Sequence, residues 1–235
     1  ITEEQFHKLY YEDKLTYKQI AELIGYPYDI ANFSRMVRRL GWKKELGKVD
    51  RYFSDSTFFY SLNRESAWVL GWLVTDGYIH NEYVDLTVHA RDEDVIHKVK
   101  SLLKFDGPYY TSIENAIGIR MYNRDLVKSI SKLGIPIGNK TFNCVFPEVP
   151  DECLWDFIRG AVEGDGSIRA SDTLQVKFFS ASKQFAEKMY EILTQKGIET
   201  SFTITEPDGK KLKHCIYSIV SKNMPSALRW AYFMY

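Results

Sequence analysis

The sequence predicts an α+β protein with two similar αββαββα halves related by a pseudo-twofold axis, each with an antiparallel saddle-shaped sheet, preceded by a small all-α module. Two apolar segments repeat each other, VLGWLVTDG at 69–77 and IRGAVEGDG at 158–166. Paired runs of alternating apolar and polar residues follow each segment, which is typical of antiparallel strands. The first 40 residues instead show helical spacing with capping signals.

Composition sets broad limits on what the protein can be. The 235 residues are 45% hydrophobic, which is enough to bury a sizeable core. No apolar run approaches the roughly 20 residues that a membrane span needs, and no secretory signal pattern opens the chain, so we expect an intracellular protein without membrane contact. Cys144, Cys153 and Cys215 lack Cys-x-x-Cys spacing and predict reduced thiols.

Charge gives no overall sign of a nucleic-acid partner. The chain carries 31 basic and 31 acidic residues, so its formal net charge is zero. Any surface that binds phosphate must therefore be local. One local cluster of basic residues lies near the N-terminus, including Arg35, Arg38, Arg39, Lys43 and Lys44.

The N-terminal segment predicts a helix-turn-helix pattern. Thr16 and Gln19 have the spacing of a capping box, and Gly25 is placed to end the helix that they begin. The next helix carries its apolar residues on one stripe, formed by Ile30, Phe33, Val37 and Leu40. Its arginines lie off that stripe. A polar, arginine-rich second helix has the shape and charge that fit a DNA major groove. The alternative is a small helical cap that packs on its neighbour.

The two halves that follow have the same predicted order of elements. In the first, helices at about 64–75, 92–103 and 124–133 alternate with strands at 78–82 and 83–90 and a hairpin at 108–122. In the second, helices at about 152–164, at 183–196 and after Asn223 alternate with strands at 167–170 and 174–180 and a hairpin that turns at 207–209. We predict a helix-turn-helix-like DNA-binding module at 1–45, a basic linker at 46–60, and two αββαββα domains at 61–148 and 149–235.

Small residues recur along the two repeated helices. Gly71 and Thr75 lie four apart in one helix, as Gly160 and Gly164 do in the other, so each helix has a face that allows close backbone approach. Close approach brings the helix ends, and with them Asp76 and Asp165, side by side. Two adjacent carboxylates repel strongly unless a divalent cation neutralises them, and Mg²⁺ prefers such oxygen ligands.

Further segments support a family resemblance. LGIPIGNKT at 133–141, Phe146-Pro147, and WDFIRG at 155–160 accompany the two repeated helices. From about Ser66 to its C-terminus, the chain resembles a LAGLIDADG homing endonuclease of the single-chain type, with both motifs in one polypeptide.

The resemblance implies a set of site residues. Asp76 and Asp165 match the catalytic, metal-binding position, with Thr75 and Gly164 beside them in the metal site, and two or more Mg²⁺ ions are implied as cofactors. Lys140 matches a basic residue near the scissile phosphate, whereas no residue up to Tyr235 matches that place in the second half. Glu163 is interpreted as a structural residue.

The resemblance also implies that the two sheets contact DNA in successive major grooves. Taking the strand residues opposite the apolar set gives a list of candidate DNA contacts: His80, Thr87, His89 and Arg120 in the first half, and Arg169, Ser171, Gln175 and Lys177 in the second. These assignments depend on strand register, because a slip of one residue would invert every one of them.

The sequence therefore predicts a monomeric, site-specific homing endonuclease that makes a metal-dependent double-strand break in a long DNA target during intron homing. The alternative is a catalytically silent DNA-binding regulator or an intron RNA maturase on the same scaffold. Retention of both aspartates favours the enzyme, since unneutralised carboxylates beside phosphates weaken DNA binding. A calcium-binding repeat is excluded, because neither Asp-Gly lies in Asp-x-Asp-x-Asp-Gly spacing.

Overall fold

The computed structural model describes residues 1–42, 52–112, 115–170, 173–209 and 213–235. The predicted Lys43, Lys44 and Ser171 contacts lie outside these ranges. Within them, no helix has the length and apolar content needed to cross a membrane.

The N-terminal module is a small helical unit with its own core. Its helices are α1 (Glu3–His7), which continues as a π-helical turn, α2 (Tyr17–Leu23) and α3 (Ile30–Arg39). The predicted capping box is confirmed: Thr16 Oγ1 accepts a hydrogen bond from the backbone of Gln19, whose side-chain oxygen accepts one from the Thr16 backbone. Gly25 follows α2 with φ +60°, a left-handed conformation that favours glycine.

The core of this module takes in only part of the apolar stripe on α3. Phe6, Ile20, Phe33 and Val37 are fully buried. Ile30 and Leu40, the other members of the predicted stripe, are 44% and 47% exposed, so only the middle of the stripe is buried.

The first half has the predicted αββαββα order. It consists of α4 (Arg64–Thr75), β1 (Gly77–Ile79), β2 (Tyr83–His89), α5 (Glu93–Leu102), β3 (Tyr110–Ser112), β4 (Ala116–Tyr122) and α6 (Arg124–Lys132). The four strands form an antiparallel sheet in the order β1-β2-β4-β3, and α5 and α6 both contact its central strand β2.

The second half repeats this arrangement. It consists of α7 (Leu154–Asp165), β5 (Gly166–Ala170), β6 (Leu174–Ser180), α8 (Lys183–Gln195), β7 (Thr200–Thr205), β8 (Ile216–Ser221) and α9 (Met224–Met234). Its sheet order, β5-β6-β8-β7, matches that of the first half. The predicted fold class is confirmed.

The described part of the predicted linker is packed rather than free. Phe59 is 2% exposed in the main core. The backbone of Asp55 donates a hydrogen bond to Leu103 at 2.8 Å, and the Asn123 amide donates one to the Ser54 carbonyl at 3.1 Å. Residues 52–60 therefore belong structurally to the first half, because their aromatic side chains extend its core.

Helices α4 and α7 are packed backbone to backbone between the two halves. A Cβ built on Gly71 would lie 2.4 Å from the Phe157 carbonyl oxygen, and one built on Gly160 would lie 2.2 Å from that of Trp68. Phe157 and Trp68 hold equivalent positions in the two repeats, so the contact is reciprocal, as twofold symmetry requires. The two helices run in parallel and end side by side.

We predict that Gly160→Ala lowers the free energy of unfolding by at least about 3 kcal/mol, because the new methyl group meets main chain and separates the helices. Urea unfolding followed by circular dichroism measures this loss. Gly209→Ala is the matched control. The φ of +69° at this position strains alanine, but a Cβ there would have no described atom within 4 Å. The expected loss of unfolding free energy is therefore about 1 kcal/mol. Equal losses in the two variants would contradict the interface.

Candidate functional site

Helices α4 and α7 each end at an aspartate, and the chain turns at the glycine that follows. Asp76 caps α4, and Asp165 is the last residue of α7. The next residues, Gly77 and Gly166, begin strands that fold back beside the helix. A Cβ at either glycine would lie 2.5 Å from a helix carbonyl oxygen, so the sharp turn requires glycine at both places.

The structure brings four predicted site residues together across the interface. A Cβ on Gly164 would lie 2.1 Å from Thr75 Oγ1 and 2.6 Å from Asp76 Oδ2. The Asp76 carboxylate therefore reaches over the backbone of α7 beside Asp165. Thr75 Oγ1 donates a hydrogen bond to Asp76 Oδ2 at 2.9 Å, which orients that carboxylate.

The two carboxyl groups have raised pKa values. Asp165 keeps solvent-exposed surface, yet desolvation by the surrounding protein and the charge of Asp76 raise its pKa to about 6. Desolvation also raises the pKa of Asp76, and the charge of Asp92 adds to this effect. The charge of Lys140 acts in the opposite direction on both aspartates. The site thus holds more negative charge than its own groups neutralise.

Lys140 lies at the end of α4. Its ammonium donates hydrogen bonds to the carbonyl oxygens of Val74 and Thr75, where the helix dipole favours a positive charge. Burial lowers the pKa of Lys140, while the nearby charges of Asp165 and Asp76 raise it. The sequence predicts a phosphate-side role for this lysine and does not reveal its helix-capping contacts.

A cleft of about 670 Å³ opens beside this group between the two halves. Thr75, Tyr78 and Lys140 line it from the first half, and Asp165 and Phe179 line it from the second. The cleft is therefore open to a ligand that touches both halves.

A second cleft, of about 870 Å³, lies at the equivalent position in the repeat. Gly166 and Ser167 line it where Gly77 and Tyr78 line the first. Its charged residues come from α7 and from the region around α5: Arg91, Asp92, Asp94, Lys98, Arg159 and Glu163. The two clefts thus differ in chemistry.

Glu163 is a structural residue, as its sequence position predicts. Its Oε2 accepts hydrogen bonds from the indole nitrogens of Trp68 at 2.7 Å and Trp72 at 3.2 Å. Its Oε1 accepts one from the Tyr235 hydroxyl at 3.0 Å. Because these donors hold both carboxylate oxygens, Glu163 links α7 to α4 and to the end of α9.

The first sheet places Thr87, His89 and Arg120 on its face opposite the core. Residues Val84, Leu86 and Val88 are buried on the other face, as the alternation predicts. His89 is exposed and accepts a hydrogen bond from the Arg91 backbone at 3.2 Å.

His80 lies outside the strand predicted for it, because β1 ends at Ile79. Its Nδ1 accepts a hydrogen bond from the Glu82 backbone at 3.3 Å, and its ring stacks on Tyr83 with centroids 4.5 Å apart. The tight turn after Ile79 therefore replaces the last residues of the predicted strand.

The second sheet and α3 carry the other described candidates. Arg169 pairs with Gln175 across β5 and β6, and Lys177 pairs with Ser167, so these side chains share the face opposite Val176. On α3, the side chains of three arginines are exposed: Arg35, Arg38 and Arg39.

We predict that Asp165→Asn stabilises the metal-free protein. An aspartate with a raised folded-state pKa binds its proton more tightly when folded, so stability falls as pH rises from about 4 to about 6. Asparagine removes this cost. In chelator at pH 7.5 we expect a gain of about 1 kcal/mol, a value reduced for solvent screening, measured by urea unfolding.

The matched control is Asp151→Asn, an exposed aspartate at the opposite end of α7, which should leave stability unchanged. The gain from Asp165→Asn should vanish at pH 4, where Asp165 is protonated in the folded protein. A gain that persists at pH 4 would assign the effect to packing instead of charge.

Comparison with known proteins finds a family match over part of the chain. Residues 152–224 match the family model of a LAGLIDADG-like domain. The uncharacterized protein MJ1054 of Methanocaldococcus jannaschii is 22% identical over 190 residues, which are 74% of this chain and 21% of that protein. The chain thus spans about a fifth of the length of this curated relative.

Solved structures with similarity to this chain include two DNA complexes. Meganuclease I-SmaMI bound to uncleavable DNA has a TM-score of 0.48 at 12% identity, covering 72% of this chain and 80% of that one. The I-LtrWI LAGLIDADG homing endonuclease bound to target DNA has a TM-score of 0.44 at 12% identity, covering 71% and 79%. The N-terminal LAGLIDADG domain of DUF199/WhiA has a TM-score of 0.47 at 13% identity, covering 77% and 89%. The family match thus covers residues 152–224, which lie within the second half of the chain.

Proposed function

We propose that this chain is an intracellular, monomeric homing endonuclease that recognises a long double-stranded DNA site and cleaves both strands in a divalent-metal-dependent reaction. The observation that carries the proposal is the meeting of Asp76 and Asp165 at the ends of α4 and α7, beside Lys140 and an open cleft. Each half contributes one carboxylate, which suits a target with two antiparallel strands.

The chemistry of the paired carboxylates fits Mg²⁺. Asp76 and Asp165 would hold the ions through hard oxygen ligands, with water and phosphate completing the coordination. In the described ranges no group of three or more His, Cys, Asp or Glu side chains is arranged to hold a metal ion, so protein ligands alone are few. When bound, the ions polarise the phosphoryl oxygens and lower the pKa of a bound water.

The remaining site residues act by position and charge. Thr75 fixes the Asp76 carboxylate through its hydroxyl, and Gly164 leaves room for that carboxylate beside α7. Lys140 places its side-chain nitrogen at the end of α4, close enough to both aspartates for their charges to act on it. A phosphate in the cleft would meet this ammonium, which stabilises negative charge that develops on the phosphoryl group.

The two sheets and α3 supply the DNA contacts in this proposal. Arg169, Gln175 and Lys177 share one face of the second sheet, as Thr87 and Arg120 do on the first. The exposed arginines of α3 extend the DNA footprint as a helix-turn-helix-like module.

We predict that Asp76→Asn and Asp165→Asn each abolish double-strand cleavage but preserve DNA binding. Loss of one carboxylate removes a metal ligand, whereas the fold and the sheet faces persist. Cleaved sites are first selected from a random duplex library with the wild-type protein in Mg²⁺, with a chelator arm for comparison. The selected duplex then serves for cleavage and binding assays of the variants.

Asp151→Asn is the control for this experiment and should cleave normally. Cleavage by the Asp76→Asn, Asp165→Asn double variant would reject the mechanism. Sequence-specific binding by the wild-type protein without cleavage of any bound duplex would favour the regulator or maturase on the same scaffold.

We predict that replacing the three α3 arginines by glutamine weakens binding and shortens the protected region on DNA. Three lost phosphate contacts should reduce the slope of log K against log salt by about 3. Quantitative footprinting across a salt series measures both effects. A triple variant with Lys183, Lys188 and Lys196 replaced by glutamine, on and just after α8, is the charge-matched control. An unchanged footprint in the arginine variant would make the module a structural cap.

A further inference from the structure

A buried carboxylate lies on the exposed face of the first sheet. The Asp85 side chain is only 8% exposed, although alternation along β2 directs it away from the apolar core. The sequence gives no sign of this burial, since Asp85 lies among alternating strand residues. The side chains next to Asp85 on the same face of the sheet bury it.

Three donors converge on Asp85. Its Oδ2 accepts a hydrogen bond from Arg120 Nε at 2.6 Å, across the β2–β4 pair. Its Oδ1 accepts one from Thr87 Oγ1 at 2.9 Å and another from the Tyr110 hydroxyl. A buried carboxylate with three donors is fixed in one orientation, and it fixes those donors in turn.

The Arg120 guanidinium is also held by aromatic rings. It lies 4.7 Å from the Tyr83 ring centroid and 5.6 Å from that of Tyr110. The side chain nevertheless remains 44% exposed. With Nε committed to Asp85, the guanidinium presents its outer edge to solvent in one orientation.

Gly118 is part of the same arrangement. The Tyr110 ring lies against this residue, and a Cβ there would come within 2.6 Å of the ring. Only glycine lets the ring cross β4 closely enough for its hydroxyl to reach Asp85. Glycine at position 118 therefore allows the Tyr110 contact with Asp85, which in turn holds Arg120.

This arrangement suits base recognition better than phosphate binding. Asp85 neutralises Arg120, so the pair adds little net attraction for the DNA backbone. A guanidinium with a fixed outer edge, in contrast, matches the O6 and N7 acceptors of guanine in the major groove. An ordinary structural cross-strand ion pair would not need two further donors and two rings.

We propose that Arg120 reads a guanine at one position of the DNA target, and that Asp85, with Tyr110 and Thr87, is a positioning residue for this contact. The inference depends on the proposed DNA binding by the sheet faces. It goes beyond that proposal in assigning one base preference to one residue and its support to another.

The experiment is a selection of bound duplexes from a random library in Ca²⁺, followed by sequencing. The wild-type chain is compared with Arg120→Lys, which keeps the charge, Asp85→Asn, and Tyr110→Phe, which keeps the ring over Gly118. Positions read by the second sheet, which carries Arg169 and Gln175, serve as the internal control. Thermal melting of each variant establishes that it is folded.

We expect the wild-type chain to prefer guanine at one position by tenfold or more, roughly the discrimination of a bidentate contact. Arg120→Lys should lose this preference with an unchanged salt slope, because the charge remains. Asp85→Asn and Tyr110→Phe should each reduce the preference at the same position, and preferences opposite the second sheet should persist. If Asp85→Asn does not fold, the other two variants decide the outcome.

Failure of this inference is distinguishable from failure of the proposed function. Sequence-selective binding with the same guanine preference in Arg120→Lys, or equal losses at all positions, would overturn the reading role and leave a structural ion pair. Absence of any selective duplex binding by the wild-type chain would overturn the proposed function, and the inference with it.

Discussion

The backbone contact between α4 and α7 is the constraint on which the rest of the structure depends. Gly71 and Gly160 each lie against a carbonyl of the opposite helix, in a reciprocal contact between equivalent positions. Because the helices are parallel, this contact also determines where their last residues lie. The relative placement of the two sheets follows from it, since each sheet begins at the glycine directly after its helix.

The same contact creates an electrostatic cost at the helix ends. Asp76 and Asp165 are held in a partly desolvated place, and this desolvation raises both pKa values. The charge of Asp76 raises the pKa of Asp165 further. Lys140 offsets part of this repulsion from the end of α4. A site that is unfavourable for the isolated protein and becomes favourable with a bound cation is typical of functional carboxylate pairs.

The chain has no net charge, but its basic residues are arranged differently on different surfaces. On the first sheet Arg120 is paired with Asp85, whereas the α3 arginines are exposed and form no ion pair with the residues that the structure describes. Paired and unpaired arginines suit different tasks, because a neutralised guanidinium contributes direction and an unneutralised one contributes attraction. A net charge of zero therefore conceals at least two kinds of basic surface.

The sequence by itself determined the order of elements, the two equivalent helices and the candidate aspartates, because periodicity, capping residues and an internal repeat are local signals. Only the tertiary structure decided that residues 52–60 pack on the first half, that Ile30 and Leu40 remain exposed, and that β1 ends before His80. It also decided the hydrogen-bond partners of Lys140 and Asp85. Lys140 bonds to carbonyl groups of α4, and Asp85 bonds to Arg120, and these partners lie 35 or more positions away in the sequence. Such contacts depend on how elements meet in space, and residue spacing along one strand or helix carries no information about them.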